Sequence, residues 1–416
     1  MTHSLFRRVA LFAAVLCGFT ASLTAQDSGA LLNVLVRKGI LSDQEAEDVR
    51  AELTAESHAA LVSSITSGKT TKSISMSARL QVQFAAIGSD AAGLPETQHF
   101  LLRRLYFGPT AQIGDNWTAN VVYDFAGGGW DKAFIEWSGY WGAHPVLLDF
   151  GVRKVNFGLD EYTSSGKIRA IERSGATRYF VESNNGRRLG AGSYHVGAFL
   201  EVNPQAFKGK ETGWFYGAAV TDPERPDGFD EAASTGNATN NNVALWGNVG
   251  YTKLLAGGRI TTGIGAGLLP DQGGKTLGAG NDMTVVSAYV EYASEKLSLT
   301  AEYLGANNDE GAGVGQDASP FGIWFQPAYM LTDKLEAVFR YSYTNSDERG
   351  IKVSDGVRSA PASLTGDNLT EYYLGFNYYF FSDDVKLQFG YVNGKAERGA
   401  KEETAQGIRS QLQVQF

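Results

Sequence analysis

Leu80-Gln81-Val82-Gln83-Phe84 recurs unchanged as Leu412-Gln413-Val414-Gln415-Phe416, and Phe416 is the last residue of the 416. Each copy alternates apolar with amide side chains, the period of a strand with two unlike faces. Two such strands near opposite ends of a chain predict a sheet that closes on itself, with the intervening sequence as its wall.

Working outward, the same period recurs. Trp117, Ala119, Val121, Tyr123 and Phe125 alternate with Asn116, Thr118, Asn120 and Asp124. Leu335, Ala337, Phe339, Tyr341 and Tyr343 alternate with Glu336, Arg340 and Ser342. Roughly sixteen segments of this kind can be drawn, an even number, as an antiparallel bacterial barrel requires. They fall near 74–86, 98–112, 116–125, 130–139, 146–153, 187–200, 213–222, 243–253, 259–270, 283–294, 296–306, 321–331, 335–345, 368–381, 385–394 and 407–416.

The connections choose the kind of barrel. Tight turns at Gly114-Asp115-Asn116, Ser294-Glu295-Lys296, Thr332-Asp333-Lys334 and Ser382-Asp383-Asp384 alternate with long polar loops at 86–97, 154–186, 223–242, 271–282, 307–320, 346–367 and 395–406. Short turns on one side and long loops on the other are the habit of outer-membrane barrels. The connection at 203–212 is too long for its place among the short turns. No run of about eighteen apolar residues predicts a spanning helix, so the membrane would be crossed by strands. In lipid every backbone group must be paired within the protein, which forces closure. The apolar face then meets lipid and lipopolysaccharide, and the polar face lines the inside. The fold expected is all-β: a transmembrane antiparallel barrel over residues 73–416, with aromatic residues near strand ends as an interfacial belt.

Ahead of the barrel, Arg7 and Arg8 precede an apolar run over 9–19 and a Leu23-Thr24-Ala25 cleavage site, so residues 1–25 read as a signal peptide. Cys17 is the one cysteine, and Leu16 stands before it where a lipoprotein needs a small residue. Losing Arg7 and Arg8 takes the formal charge from −9 to −11, which argues against nucleic acid. Residues 26–72 read as a periplasmic leader: helices over 28–38 and 42–58, the second opened by the capping box Ser42-Asp43-Gln44-Glu45, then a polar linker.

A barrel this wide leaves an aqueous lumen, so function rests on what narrows and charges it. The long segment 154–186 carries Lys154, Lys167, Arg169 and Arg173 beside acids, and is placed to fold inward as a constriction. Arg79, Arg340 and Arg409 occupy polar-face positions, and Arg153 adjoins the loop. Rings of Arg or Lys are how a pore favours anions. Asp124, Glu136, Asp149, Glu291, Glu302 and Glu336 share that face, which leaves a non-selective diffusion pore as the alternative.

The motifs Ala78-Arg79-Leu80-Gln81, Phe100-Leu101-Leu102-Arg103-Arg104, Phe157-Gly158 with Thr163-Ser164-Ser165, Ile171-Glu172-Arg173-Ser174 and Asn185-Gly186-Arg187-Arg188 occur in an order that resembles the phosphate-selective porin O and P family. The resemblance implies a homotrimer of anion channels in the bacterial outer membrane, passing inorganic anions or other small solutes. It places Arg79, Arg103, Arg104, Arg187 and Arg188 on an arginine ladder, and it implies recognition of Phe416 by the barrel-assembly machinery. Leu101 and Tyr106 stand where the family carries further arginines, which thins the ladder. Because Arg103 and Arg104 are adjacent, strict alternation turns only one of them inward; a bulge would reconcile both, or one sits at the interface.

Other readings have little in the sequence to stand on. The five histidines show no metal spacing, and Asn307-Asn308-Asp309-Glu310-Gly311 lacks the spaced ligands of a calcium loop. No nucleophile elbow supports a barrel enzyme acting on lipid. A soluble carbohydrate-binding β-protein would not need charges on strand after strand. Neither cofactor nor metal is expected.

Overall fold

The computed structural model describes Lys38 and residues 70–223, 242–275 and 281–416. The expected signal peptide, and most of the expected leader helices and linker, lie outside the described residues. The chain divides into two units, 1–71 and 72–416; the second is the barrel.

Its strands are β1 (Thr71–Ser89), β2 (Thr97–Ile113), β3 (Trp117–Asp124), β4 (Gly129–Trp141), β5 (His144–Lys154), β6 (Tyr194–Val202), β7 (Gly213–Thr221), β8 (Ala244–Leu255) and β9 (Gly258–Leu269). The wall continues with β10 (Met283–Ser294), β11 (Leu297–Gly313), β13 (Phe321–Met330), β14 (Leu335–Asn345), β15 (Asn368–Phe381), β16 (Val385–Arg398) and β17 (Lys401–Gln415). A three-residue strand, β12 (Gln316–Ala318), folds back on the end of β11. The sixteen long strands pair antiparallel with their neighbours, and β17 returns to β1. The barrel is closed.

The repeated pentapeptides form that closure. Leu80 pairs with Val414, Gln81 with Gln413, Val82 with Leu412 and Gln83 with Gln411. Because the side-chain period is two, this register puts amide opposite amide and apolar opposite apolar. Leu80, Val82, Leu412 and Val414 are exposed outward, whereas Gln81, Gln83, Gln411 and Gln413 are buried inward. Trp117, Phe380 and Phe381 stand outward near strand ends.

Several boundaries differ from the sequence reading. The loop expected at 395–406 is a turn at Gly399-Ala400, with β16 and β17 running through the rest. The strand expected from 187 begins at Tyr194, which leaves Arg187 and Arg188 in the preceding loop. The long connection at 203–212 holds a helical turn, α3 (Pro204–Phe207), opened by Asn203 at a left-handed φ of 58°. Asn tolerates that conformation. Phe207 packs on Phe215 and Tyr162 at 5.1 and 4.9 Å between ring centres, so the extra residues fill the end of the lumen.

Two loops enter the barrel. The β5–β6 connection, 155–193, carries α1 (Leu159–Tyr162) and α2 (Gly175–Val181), and every residue of α2 is buried. Ser174 caps α2 by accepting the Thr177 amide at 3.1 Å. The β14–β15 connection carries α4 (Val353–Gly356). The two meet where Gly175 and Gly356 approach closely; a Cβ on Gly356 would lie 2.4 Å from Leu369 Cδ2. Phe157, Ile171, Tyr179, Phe180, Val353 and Val357 thus make an apolar core inside the barrel with Trp246, Leu304 and Val338 of the wall.

Candidate functional site: the constricted lumen

The two sides of the barrel differ in how their inner faces are covered. Along β9, β14, β15 and β16 inward residues are buried and outward ones at least partly exposed, in alternation. On β2, β3 and β4 the inward Thr110, Gln112, Thr118, Asn120, Phe134 and Glu136 are half-exposed, and Lys132 is exposed. The inward loops therefore cover most of the wall and leave a wet passage along β2–β4. Register places the passage-lining groups: Thr118 lies opposite Glu136, Asn120 opposite Phe134, and Val122 opposite Lys132.

Beside this passage the 155–193 loop presents carboxylates to the wall. Arg103 holds both oxygens of Glu172, at 2.7 and 3.1 Å. Arg358, from the β14–β15 loop, donates to Glu172 at 3.1 Å and also binds Glu182. Arg178 takes Glu182 bidentately at 2.9 and 3.0 Å, and Arg188 binds it as well. Burial raises the cost of charge on Glu172, but Arg103 and Arg358 outweigh it and hold the carboxyl well below its usual range. Burial acts on Arg358 directly; helped by Arg178 and Arg103, and against the attraction of Glu172, it brings that guanidinium down to about 10.

Arg104 also reaches the lumen side, donating to Gln81 Oε1 at 2.8 Å. Both members of the pair therefore point inward, contrary to strict alternation. Phe100 and Leu102 face outward, while Arg103, Arg104 and Tyr106 all serve the inside, so the phase slips by one residue as at a β-bulge. Arg409 is buried and donates to the Arg358 carbonyl; its Nη1 has no partner among the described residues.

The remaining basic residues are distributed as follows. Arg79 donates to Ser164 and Ser165 of the loop at 3.0 and 2.8 Å and lies over the Tyr106 ring. Lys167 is exposed on the loop. Arg153 binds Asp149 and Glu201. Arg169 pairs with Glu336 at 2.9 Å beside a cavity of about 440 Å³ among the short turns. Arg340 pairs with Glu371 at 2.7 Å and also donates to the Glu172 and Arg173 carbonyls. Arg187 pairs with Asp355 at 2.8 Å.

Lys154 and Arg173 both bind Glu161, at 2.8 and 2.9 Å. Burial would raise Glu161, but Arg173 and Lys154 prevail and hold it near 2. Most of the predicted ladder is therefore neutralised within the protein. Arg358 and Arg349 escaped the sequence reading. Arg349 is buried and donates only to carbonyls, those of Arg187, Arg188, Gly274 and Gly311, so nothing about its sequence neighbours announces it. Among the described residues no group of three or more His, Cys, Asp or Glu could hold a metal.

The sequence model of phosphate-selective porin O and P matches residues 74–416. The chain belongs to this family. It is an outer-membrane porin, a channel-forming barrel of the bacterial outer membrane. Among solved structures it is similar to an anion-selective porin from Comamonas acidovorans, at 12% identity and a TM-score of 0.53 over 82% of this chain and 99% of that one. It is similar also to OmpT, an outer-membrane protein of Vibrio cholerae (14%, TM-score 0.51, 84% and 99%). OmpF of Salmonella typhi, solved with daunomycin, gives 14% and 0.51 over 82% and 97%. At these identities the likeness is one of fold. No curated protein sequence matches.

Proposed function

We propose that this porin passes small solutes by diffusion with a preference for anions, inorganic phosphate among them, and that it works as a homotrimer. The supporting observation is the charge imbalance at the constriction. Arg103, Arg178, Arg187, Arg188 and Arg358 share three carboxylates, Glu172, Glu182 and Asp355. Arg104 and Arg409 add two further buried guanidiniums whose hydrogen-bond acceptors are an amide and a carbonyl. At a constriction such an excess attracts anions and raises the barrier to cations. Arginine keeps its charge there and can offer a planar fork to phosphate oxygens.

Lys132 puts a positive charge on the passage wall, where the half-exposed Glu136 opposes it, and Lys167 is exposed on the loop along the seam. Lys154, Arg169, Arg173 and Arg187 hold the loops through their ion pairs, Arg340 through the Glu172 and Arg173 carbonyls, and Arg153 through the Tyr162 hydroxyl. That extensive internal pairing favours a moderate preference over strict selectivity. Reversal potentials of the reconstituted porin in a salt gradient test the reading. An anion-selective sign is expected, and the double substitution Arg103→Ala with Arg358→Ala should lower the anion-to-cation permeability ratio. A cation-selective or neutral wild type would overturn it.

A further inference from the structure

The seam that closes the barrel also carries the inward loop. Gln83 donates to Gln411 at 2.8 Å, Gln411 to Gln388 at 2.7 Å, Gln388 to Asn377 at 3.0 Å, and Asn377 to Glu336 at 2.9 Å. These bonds cross β1, β17, β16, β15 and β14 in one direction, so each donor polarises the next. A second row lies beside it, with Gln81 donating to Gln413 at 2.6 Å.

The inward segment 164–169 lies along this wall and gives it its carbonyls. Gln81 donates to the Ser165 carbonyl and Gln413 to that of Gly166, each at 3.0 Å. Gln388 and Asn377 both donate to the Arg169 carbonyl at 2.9 Å. Lys386, wholly buried, donates to Gly166 and Ile168 carbonyls at 2.7 and 3.3 Å, with Asp383 at 2.9 Å. Gly166 permits the flush fit, since a Cβ there would lie 2.3 Å from Gln415 Oε1 and 2.8 Å from Arg79 Nε.

We infer that the seam amides and Lys386 are the positioning residues of the constriction, so that closure of the barrel sets the width of the pore. Gln81 stands on β1 and Gln413 on β17, so the segment finds its full set of donors only after those strands have paired. The amide-to-amide bonds carry no titratable group, and salt screens them little; the row meets carboxylates at its ends, Glu336 and, through Gln83, Glu172. The inference rests on the channel reading but not on its ion preference: single-channel conductance reports the one and reversal potential the other.

The test uses the full-length chain in planar bilayers, with the double variant Gln81→Leu and Gln413→Leu and the single variant Lys386→Met. Folding is read separately from the heat-dependent shift in gel mobility. The expected result is an unchanged gel shift with loss of the single conductance level, replaced by a spread reaching higher values. Wild-type conductance in folded variants would overturn the inference. So would a changed gel shift with surviving channels of normal conductance, which is what a merely structural role produces. Lys386→Met leaves both amide rows intact, so it decides the matter by the same reading should the double variant not fold.

Discussion

The seam wall and the passage wall are built from the same kind of strand and use their inner faces in opposite ways. On β14–β17 and β1 the inward amides are buried, bonded to one another and to the loop's backbone. On β2–β4 the inward Thr110, Gln112, Thr118 and Asn120 are half-exposed and bond mainly within their own sheet, as in Thr110 to Asn120 at 3.0 Å. A polar side chain on a barrel's inner face is therefore not in itself a pore-lining residue. Where a loop covers it, it is a structural donor whose loss leaves buried groups unpaired; where water covers it, it is replaceable and tunes what passes.

The largest contrast should come from one apolar substitution made on each wall. Gln388→Leu removes the middle of the amide row and strands Gln411 Nε2 and Asn377 Oδ1. At about 1–3 kcal/mol for each buried group left unpaired, folding titrations in denaturant should show a clear loss of stability. Asn120→Leu on the passage wall should stay within about 0.5 kcal/mol, as wet sites do. Equal costs would break the contrast.

Acid should separate the two walls next. Glu161 is held near 2 against a usual 4.5 by Arg173 and Lys154, and Glu172 is held low by Arg103 and Arg358. A carboxyl depressed in the folded state stabilises it fully above its ordinary pKa and loses that contribution as pH falls through the folded value. The ionic ties of the inward loop should therefore weaken between pH 4.5 and about 2, while the amide-to-amide bonds of the seam do not titrate. Conductance should grow noisy over that interval with the heat-dependent gel shift retained. A simultaneous loss of both would mean that the seam depends on the ionic side.

The smallest effect concerns Lys132, exposed on the passage wall. Lys132→Gln should move the reversal potential slightly toward cations and leave stability unchanged, because lumen substitutions tune selectivity at little energetic cost.

Much of this was legible in the sequence, and the reason is physical. Closure in lipid favours a two-residue period, and that period is written in most strands; the pentapeptide pair then names the seam and its in-phase register. The tight turns were readable from their Gly, Asp, Asn and Ser content. Where period and local chemistry disagree, the alternatives stayed open: the adjacent Arg103 and Arg104 require either a bulge or a residue at the interface, and only the fold shows both on the inside. The turn at Gly399-Ala400 was hidden because polar residues such as Lys395, Glu397 and Glu403 extend the strands beyond the membrane zone, where the apolar alternation fades.

What the sequence determined by itself was the barrel, its two faces and its basic inventory. Only the tertiary structure decided which bases are spent within the protein. Arg153 meets Glu201, Arg340 meets Glu371, and Arg358 meets Glu172 and Glu182, the last two 186 and 176 residues away. Pairing across such separations is set by how the loops fold back through the lumen, not by any local pattern. The glutamines of the opening pentapeptide show the same division: their alternation placed them inside, and only the inward loop made them its anchor.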